Sequence, residues 1–203
     1  ISSAASDVYK RQLGKVSEKV LSGASLAGQI QYIMVLFLFG LTSGATVLTA
    51  QYWGKGDKTA IEKILALGIR SAVIITAIFT IAAFTIPASL MRIFTNDPQV
   101  IAEGVKYLRI VACSYIIMGI TNVYLYVMRS IERVIVATVV YLASFLCNVV
   151  FNAIFIFGLF GFPALGIRGA AIATLIARIM ELVLVCGYAK IYNKDVKFRV
   201  HYF

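Results

Sequence analysis

Apolar residues in this chain run in long blocks separated by short polar connections. Five blocks stand out: span A over 21–50, span B over 64–90, span C over 107–128, span D over 134–160 and span E over 170–189. A helix needs about 20 apolar residues to cross a ~30 Å hydrocarbon core, so each block is long enough to cross with some tilt. The pattern therefore predicts an all-α fold, a polytopic transmembrane helix bundle whose odd number of crossings puts the termini on opposite sides.

The connections carry their own signals. WGKGD turns on Gly54 and Gly56, which can take positive φ. In TNDPQVIAEG, Asn96 or Asp97 offers a cap ahead of Pro98 at a first helical position, predicting a short surface helix before span C. Pro87 is placed to kink or end span B, and Pro163 fixes the turn of a glycine-rich hairpin, FGLFGFPALGIRGAA, between spans D and E.

The first dozen residues have a different texture. ISSAASDVYKRQ has neither a signal-peptide core nor a helical stripe, and DVYKRQ is what GAT GTG TAT AAG AGA CAG encodes, DNA that resembles a transposase end used in library preparation. Residues 1–12 are therefore expected to be adapter-derived, 13–190 to hold the five helices, and 191–203 to be a cytoplasmic linker.

Composition agrees with the pattern. The chain is 61% hydrophobic and only 14% charged, against roughly 25% charged in soluble domains. Its net charge of +10 comes from basic residues at the ends of apolar blocks, with no stripe interleaved with aromatics, so the lipid bilayer and not nucleic acid is the expected partner. The A–B and C–D connections and the tail hold nine Lys and Arg against six on the other side, which predicts a cytoplasmic C-terminal tail in a multi-pass protein of the cytoplasmic membrane. Cys113, Cys147 and Cys186 lie singly inside apolar blocks and read as free thiols.

Polar residues inside the blocks are the candidate chemistry. Asn148 and Asn152 are spaced i, i+4 on one face of span D. A lipid-facing amide would lack partners, so this face should point into protein or a cavity. Two readings stay open: interhelical hydrogen bonds worth roughly 1 kcal/mol each, or two carbonyl oxygens that help ligate a small hard cation. Gln29, Gln31, Asn122 and Thr174 are further polar atoms at membrane depth, and Arg178 and Glu181, i, i+3 near the cytoplasmic end of span E, read as a local ion pair. Gly40 with Gly44, and Gly169 with Ala173, have the spacing for close helix packing. Tyr32, Met34, Met118 and Tyr141 supply aromatic and thioether surface suited to flat apolar cations, though core positions are the commoner use of such residues. The only histidine is His201, and no nucleophile elbow, zinc motif or phosphate loop is present, so neither catalytic nor metal-binding residues are expected.

Two segments then become recognisable together: GLTSGATVLTAQYWGKGD and FNAIFIFGLFGFPALGIRGAAIATLIAR. They resemble the multidrug and toxic compound extrusion (MATE) family of cation-coupled efflux transporters. The resemblance implies twelve helices in two lobes related by a parallel repeat, with the five spans standing for helices two to six and the first helix and C-terminal lobe lying outside this chain. It implies antiport of amphipathic or cationic drug-like compounds against Na+ or H+, without a cofactor. It makes Asn148, Asn152 and Thr174 candidates for the cation site, and Gln29, Tyr32, Met34, Met118, Asn122 and Tyr141 candidates for the substrate cavity. Some relatives carry an aspartate where Asn152 stands. The alternatives are a lipid-linked oligosaccharide flippase of the same superfamily, a membrane-embedded enzyme, or a structural helix bundle.

Overall fold

The computed structural model describes the backbone of residues 2–157, 161, 165–193 and 196. Seven helices occur among these residues: α1 Ser2–Gly54, α2 Lys58–Thr85, α3 Pro87–Arg92, α4 Pro98–Ala112, α5 Tyr115–Ser130, α6 Val134–Phe157 and α7 Ile167–Ile191. Four of them are long and apolar enough to cross a bilayer, α1 through its Glu18–Gly54 stretch, α2, α6 and α7, and the bent pair α4 and α5 raises the number to five. The fold is an all-helical membrane-spanning bundle. Pro163, the end of span D beyond 157 and most of the tail lie outside the described residues.

The helix ends follow local chemistry. Asp57 caps α2 by accepting the Ala60 N–H at 3.0 Å. Pro87 cannot extend α2, because it lacks an N–H, and instead opens α3 at its first position. Asp97 caps α4, accepting the Gln99 N–H at 2.8 Å, with Pro98 next in line. That N–H holds the Asp97 carboxyl below its ordinary range, with Lys19 adding to the effect from 3.4 Å. A depressed carboxyl stabilises the fold above its unfolded pKa, so this contribution is present at neutral pH and fades as pH falls through the folded value.

Span C departs from the sequence-based expectation. Instead of a short surface helix followed by one span over 107–128, a fifteen-residue α4 runs into the block and meets α5 at a 52° bend. The break falls at Cys113 and Ser114. The Ser114 N–H closes on Val111 O at 2.8 Å, and its hydroxyl adds a bond of 2.7 Å to the same carbonyl. Thr80 of α2 donates its hydroxyl hydrogen to Thr76 O at 2.8 Å and lies 3.4 Å from Ala112 O, beside the break.

The core lies between α1, α2, α4 and α5, where Met34, Leu38, Leu65, Leu108, Tyr115, Leu125 and Met128 are fully enclosed. Large apolar side chains also crowd the outside, Ile135, Val139, Leu142 and Leu146 of α6 among them. Such a surface suits lipid and not water. Membrane-depth hydroxyls turn inward on their own helices: Thr42 donates to Leu38 O, Thr76 to Ala72 O and Thr174 to Ala170 O, at 2.8 to 3.0 Å.

Close helix approach occurs at glycines other than one expected pair. Gly40 and Gly44 face open space, so the packing predicted for them is not made within the chain. At Gly169 an added Cβ would lie 2.6 Å from Phe155 O, and at Gly119 it would lie 2.8 Å from Thr76 Cγ2. The first contact seals α6 to α7 and the second α5 to α2. Ala173, one turn after Gly169, is also fully buried.

A matching turn ends α1 and α5. After α1, Asp57 N–H bonds Tyr52 O and Gly56 N–H bonds Trp53 O, with Gly56 at φ +71°. After α5, Arg133 N–H bonds Met128 O and Glu132 N–H bonds Arg129 O, with Glu132 at φ +65°. Both are Schellman closures, which call for a left-handed residue. Gly56 adopts it freely, whereas Glu132 does so at a cost of about 1 kcal/mol.

Two expectations follow. Glu132→Gly raises the melting temperature of the detergent-solubilised protein, by an amount corresponding to up to about 1 kcal/mol, as read by a thermal-shift assay. Gly169→Leu forces α6 and α7 apart at a cost of about 3 kcal/mol, lowering the yield of monodisperse protein on size exclusion, while Gly44→Ala does not lower it.

Candidate functional site

Tyr141, Ser144, Asn148 and Asn152 lie at i, i+3, i+7 and i+11 on α6, a single helical face. Opposite them α7 presents Thr174, Arg178 and Glu181. The seam formed by the two faces is polar along its length, and it divides into two linked groups.

The first group contains the candidate cation residues. Asn152 Nδ2 donates to Asn148 Oδ1 at 2.8 Å, and Asn148 Nδ2 donates to Thr174 Oγ1 at 3.3 Å. The Thr174 hydroxyl hydrogen goes on to Ala170 O. This directional chain satisfies the amide donors it uses, yet Asn152 Oδ1 is buried with no hydrogen-bond partner. A buried carbonyl oxygen left that way costs about 1–3 kcal/mol. Asn152 Oδ1, the second lone pair of Asn148 Oδ1 and the Thr174 oxygen are hard donors suited to an alkali ion, but two or three oxygens are fewer than such an ion surrounds itself with. The rest of its shell must come from water or from other residues.

The second group centres on Glu181, whose side chain is fully buried. Oε1 accepts from Thr121 Oγ1 of α5 at 2.5 Å, and Oε2 accepts from Arg178 Nη1 at 2.7 Å, with Ser144 Oγ of α6 at 3.3 Å. Donors from three helices thus converge on one carboxylate. The pair was expected near the cytoplasmic end of span E. Glu181 stands ten residues before the last residue of α7, roughly 15 Å along the helix axis, in the C-terminal half of the helix. Desolvation at that depth is why both oxygens carry partners.

Between the groups a cavity of about 390 Å³ opens where α1, α4, α6 and α7 meet, lined by Gln31, Tyr107, Tyr141, Ser144, Phe145, Asn148, Thr174, Ala177 and Arg178. Several cavity candidates lie elsewhere. Gln29 is exposed, and Tyr32, on the same face of α1, is 58% exposed. Met34 and Met118 are packed in the core, where Met118 Sδ accepts from Gln31 Nε2 at 3.7 Å. Asn122 lies off the cavity and accepts from the Tyr141 hydroxyl at 3.1 Å. Gln31, not Gln29, is the amide of α1 that reaches the cavity. Opposite exposure of the two was legible in their two-residue separation, but which of them faced inward was not.

Tyr107, Ser144 and the cavity-facing side of Arg178 escaped the sequence reading. The signal for Ser144 was present in its place one turn before Asn148. Tyr107 enters only because the break at Ser114 tilts α4 against α7. Arg129 stacks its guanidinium over the Tyr141 ring at 5.1 Å, a cation–π contact that fixes the ring at the edge of the cavity. No group of three or more potential metal-binding His, Cys, Asp or Glu side chains occurs among the described residues.

Known proteins share both this sequence and this fold. The MatE family model matches residues 9–154. A protein described as "Probable multidrug resistance protein NorM" from Thermotoga maritima is 29% identical over 171 residues, covering 82% of this chain and 36% of its own length. Its namesake from Rhizobium meliloti is 26% identical over 178 residues, covering 88% of this chain and 38% of its own. The chain thus spans well under half the length of these relatives. Among solved structures, a MATE transporter crystallised in a bent conformation superposes with a TM-score of 0.82 at 21% identity, over 91% of this chain and 41% of that one. A family match that runs through six of the seven helices, on a bundle whose fold is that of a solved MATE protein, establishes that this chain belongs to the MatE family.

Proposed function

We propose that this chain forms most of the N-terminal lobe of a secondary active exporter, one that moves amphipathic organic compounds out across the cytoplasmic membrane in exchange for an inward-moving cation. A second lobe completes the pathway, and the C-terminal tail lies in the cytoplasm, in keeping with the excess of Lys and Arg on that side. The multidrug resistance names carried by the relatives support the transport class.

The observation that carries the coupling part of the reading is the buried, unpartnered Asn152 Oδ1 beside the Asn148 and Thr174 oxygens. An amide oxygen can ligate sodium but cannot take up a proton at neutral pH. The nearby carboxylate, Glu181, is already closed in by Thr121, Arg178 and Ser144. On this chemistry the ion held at the Asn148–Asn152 pair is Na+ rather than H+. Ion binding would draw α6 and α7 onto a common ligand, favouring one orientation of the lobes while cargo favours the other. Only such differential affinity can shift the equilibrium between them.

Whole-cell dye efflux driven by a sodium gradient tests the reading. Asn148→Ala and Asn152→Ala each remove an oxygen, and the sodium concentration for half-maximal efflux should rise about tenfold, the effect of one lost ligand of roughly 1.4 kcal/mol. Asn152→Asp adds a titratable carboxylate, and efflux should become pH-dependent in a range where the parent protein is not. Unchanged sodium dependence in both alanine variants removes the site.

A further inference from the structure

A second opening in the bundle lies away from the α6–α7 seam. Both α2 and α7 pack on α5, and where the three meet a cleft of about 430 Å³ has Ile69, Ile120, Leu182 and Val185 in its walls. Its polar groups are gathered at one end, where α7 finishes: Lys190, Asn193 and the Tyr124 hydroxyl. Leu182 lies roughly 12 Å down the α7 axis from Lys190, so the cleft is apolar in its depth and polar at its mouth.

The mouth is held in place by side-chain bonds. Asn193 Nδ2 donates to the Tyr124 hydroxyl oxygen at 2.9 Å and to Met128 Sδ at 3.5 Å, and Asn193 Oδ1 accepts the Val196 N–H at 3.2 Å. Together they pin the chain leaving α7 against α5. Tyr124 donates its own hydrogen to no acceptor among the described residues. Lys190, which is exposed, is the one charged side chain lining the cleft among them. A guest at the mouth therefore meets a cation and a hydroxyl donor, and both call for an anionic oxygen. Deeper in, it meets an apolar slot.

We propose that this cleft binds an anionic glycerophospholipid from the leaflet at the C-terminal end of α7, with its phosphate at Lys190 and Tyr124 and one acyl chain along Ile69, Ile120, Leu182 and Val185. Lipid tails are as apolar as these walls, so the chain is accommodated without being selected. Selection comes from the head group. The Lys190 charge attracts an acidic lipid, and the tail sequence, with Lys194, Lys197 and Arg199 against Asp195, adds to the attraction. That end of the bundle is the one proposed to face the cytoplasm, where acidic lipids give the membrane surface its negative potential. The inference needs the helices to cross a bilayer and is independent of the exporter reading.

Photo-crosslinking of the full chain in bilayers of equal parts dioleoylphosphatidylglycerol and dioleoylphosphatidylcholine tests the assignment. Either lipid carries a diazirine midway along one chain, so the two probes differ only in the head group, and the labelled residues are read by peptide mass spectrometry. At Ile120, Leu182 and Val185 the phosphatidylglycerol probe should label about fivefold more than the phosphatidylcholine probe, the effect of one cation on an acidic lipid. At Leu142 and Leu146, exposed on α6, the ratio should be about one. K190Q, a change at an exposed position, should bring the cleft ratio to about one and leave α6 labelling as it was. L182W, which fills the slot, should lower cleft labelling by both probes. A cleft ratio near one in the parent protein overturns the proposal. So does the same fivefold preference on α6, which would mean recruitment by the overall positive charge, and so does a preference that survives K190Q. Absence of cleft labelling by either probe also overturns it, because another segment of the protein then occupies the slot.

Discussion

A carboxylate at the middle of a membrane helix is the constraint on which this bundle turns. Glu181 has no water to solvate it, and a bare charge at that depth would be far too costly to keep. It is tolerated because Thr121, Ser144 and Arg178 bring donors to it from α5, α6 and α7. Removing Arg178 would leave an unmet charge in a low-dielectric interior, which is why such a group ties its helices in register. The same three bonds decide how Arg178 stands, and through Arg178 they decide what the cavity presents.

That register requires α6 and α7 to run side by side at short distance. Gly169 permits it at one end, where the Phe155 carbonyl occupies the place a side chain would take, and Ala173 continues the contact one turn on. With the backbones this close, Asn148 can reach Thr174 and Ser144 can reach Glu181. The polar seam is therefore a consequence of small residues as much as of polar ones. Widening it by a single bulky side chain would part donors from acceptors over several turns.

The bend between α4 and α5 has a comparable role on the other side of the cavity. A straight helix through Cys113 and Ser114 would carry Tyr107 along the axis of α5, but the 52° turn lays α4 against α7 and puts the Tyr107 ring on the cavity wall. The Ser114 hydroxyl donates to Val111 O, one of the carbonyl groups at the turn, which supports the break where no water is at hand. The two polar groups of the seam then differ in chemistry: amide oxygens at one end and an Arg–Glu pair at the other.

The amino-acid order by itself determined the membrane class, the helical fold and the family, because hydrocarbon thickness and backbone hydrogen bonding leave few ways to arrange blocks this long and this apolar. It also determined the cap ahead of Pro98, at Asn96 or Asp97, and the stop at Pro87, since these depend on neighbours within one turn. The shared face of Asn148 and Asn152 was legible for the same reason: helical spacing is local. Only the tertiary structure decided that Gly169 is a contact and Gly40 is not, that Gln31 and not Gln29 turns inward, that Met34 and Met118 are core and not cavity, and that Arg178 faces a chamber. Those outcomes depend on which face each helix gives to its neighbours. In an evenly apolar helix no periodic stripe marks that face, so it is settled by packing and by the few polar atoms that must find partners.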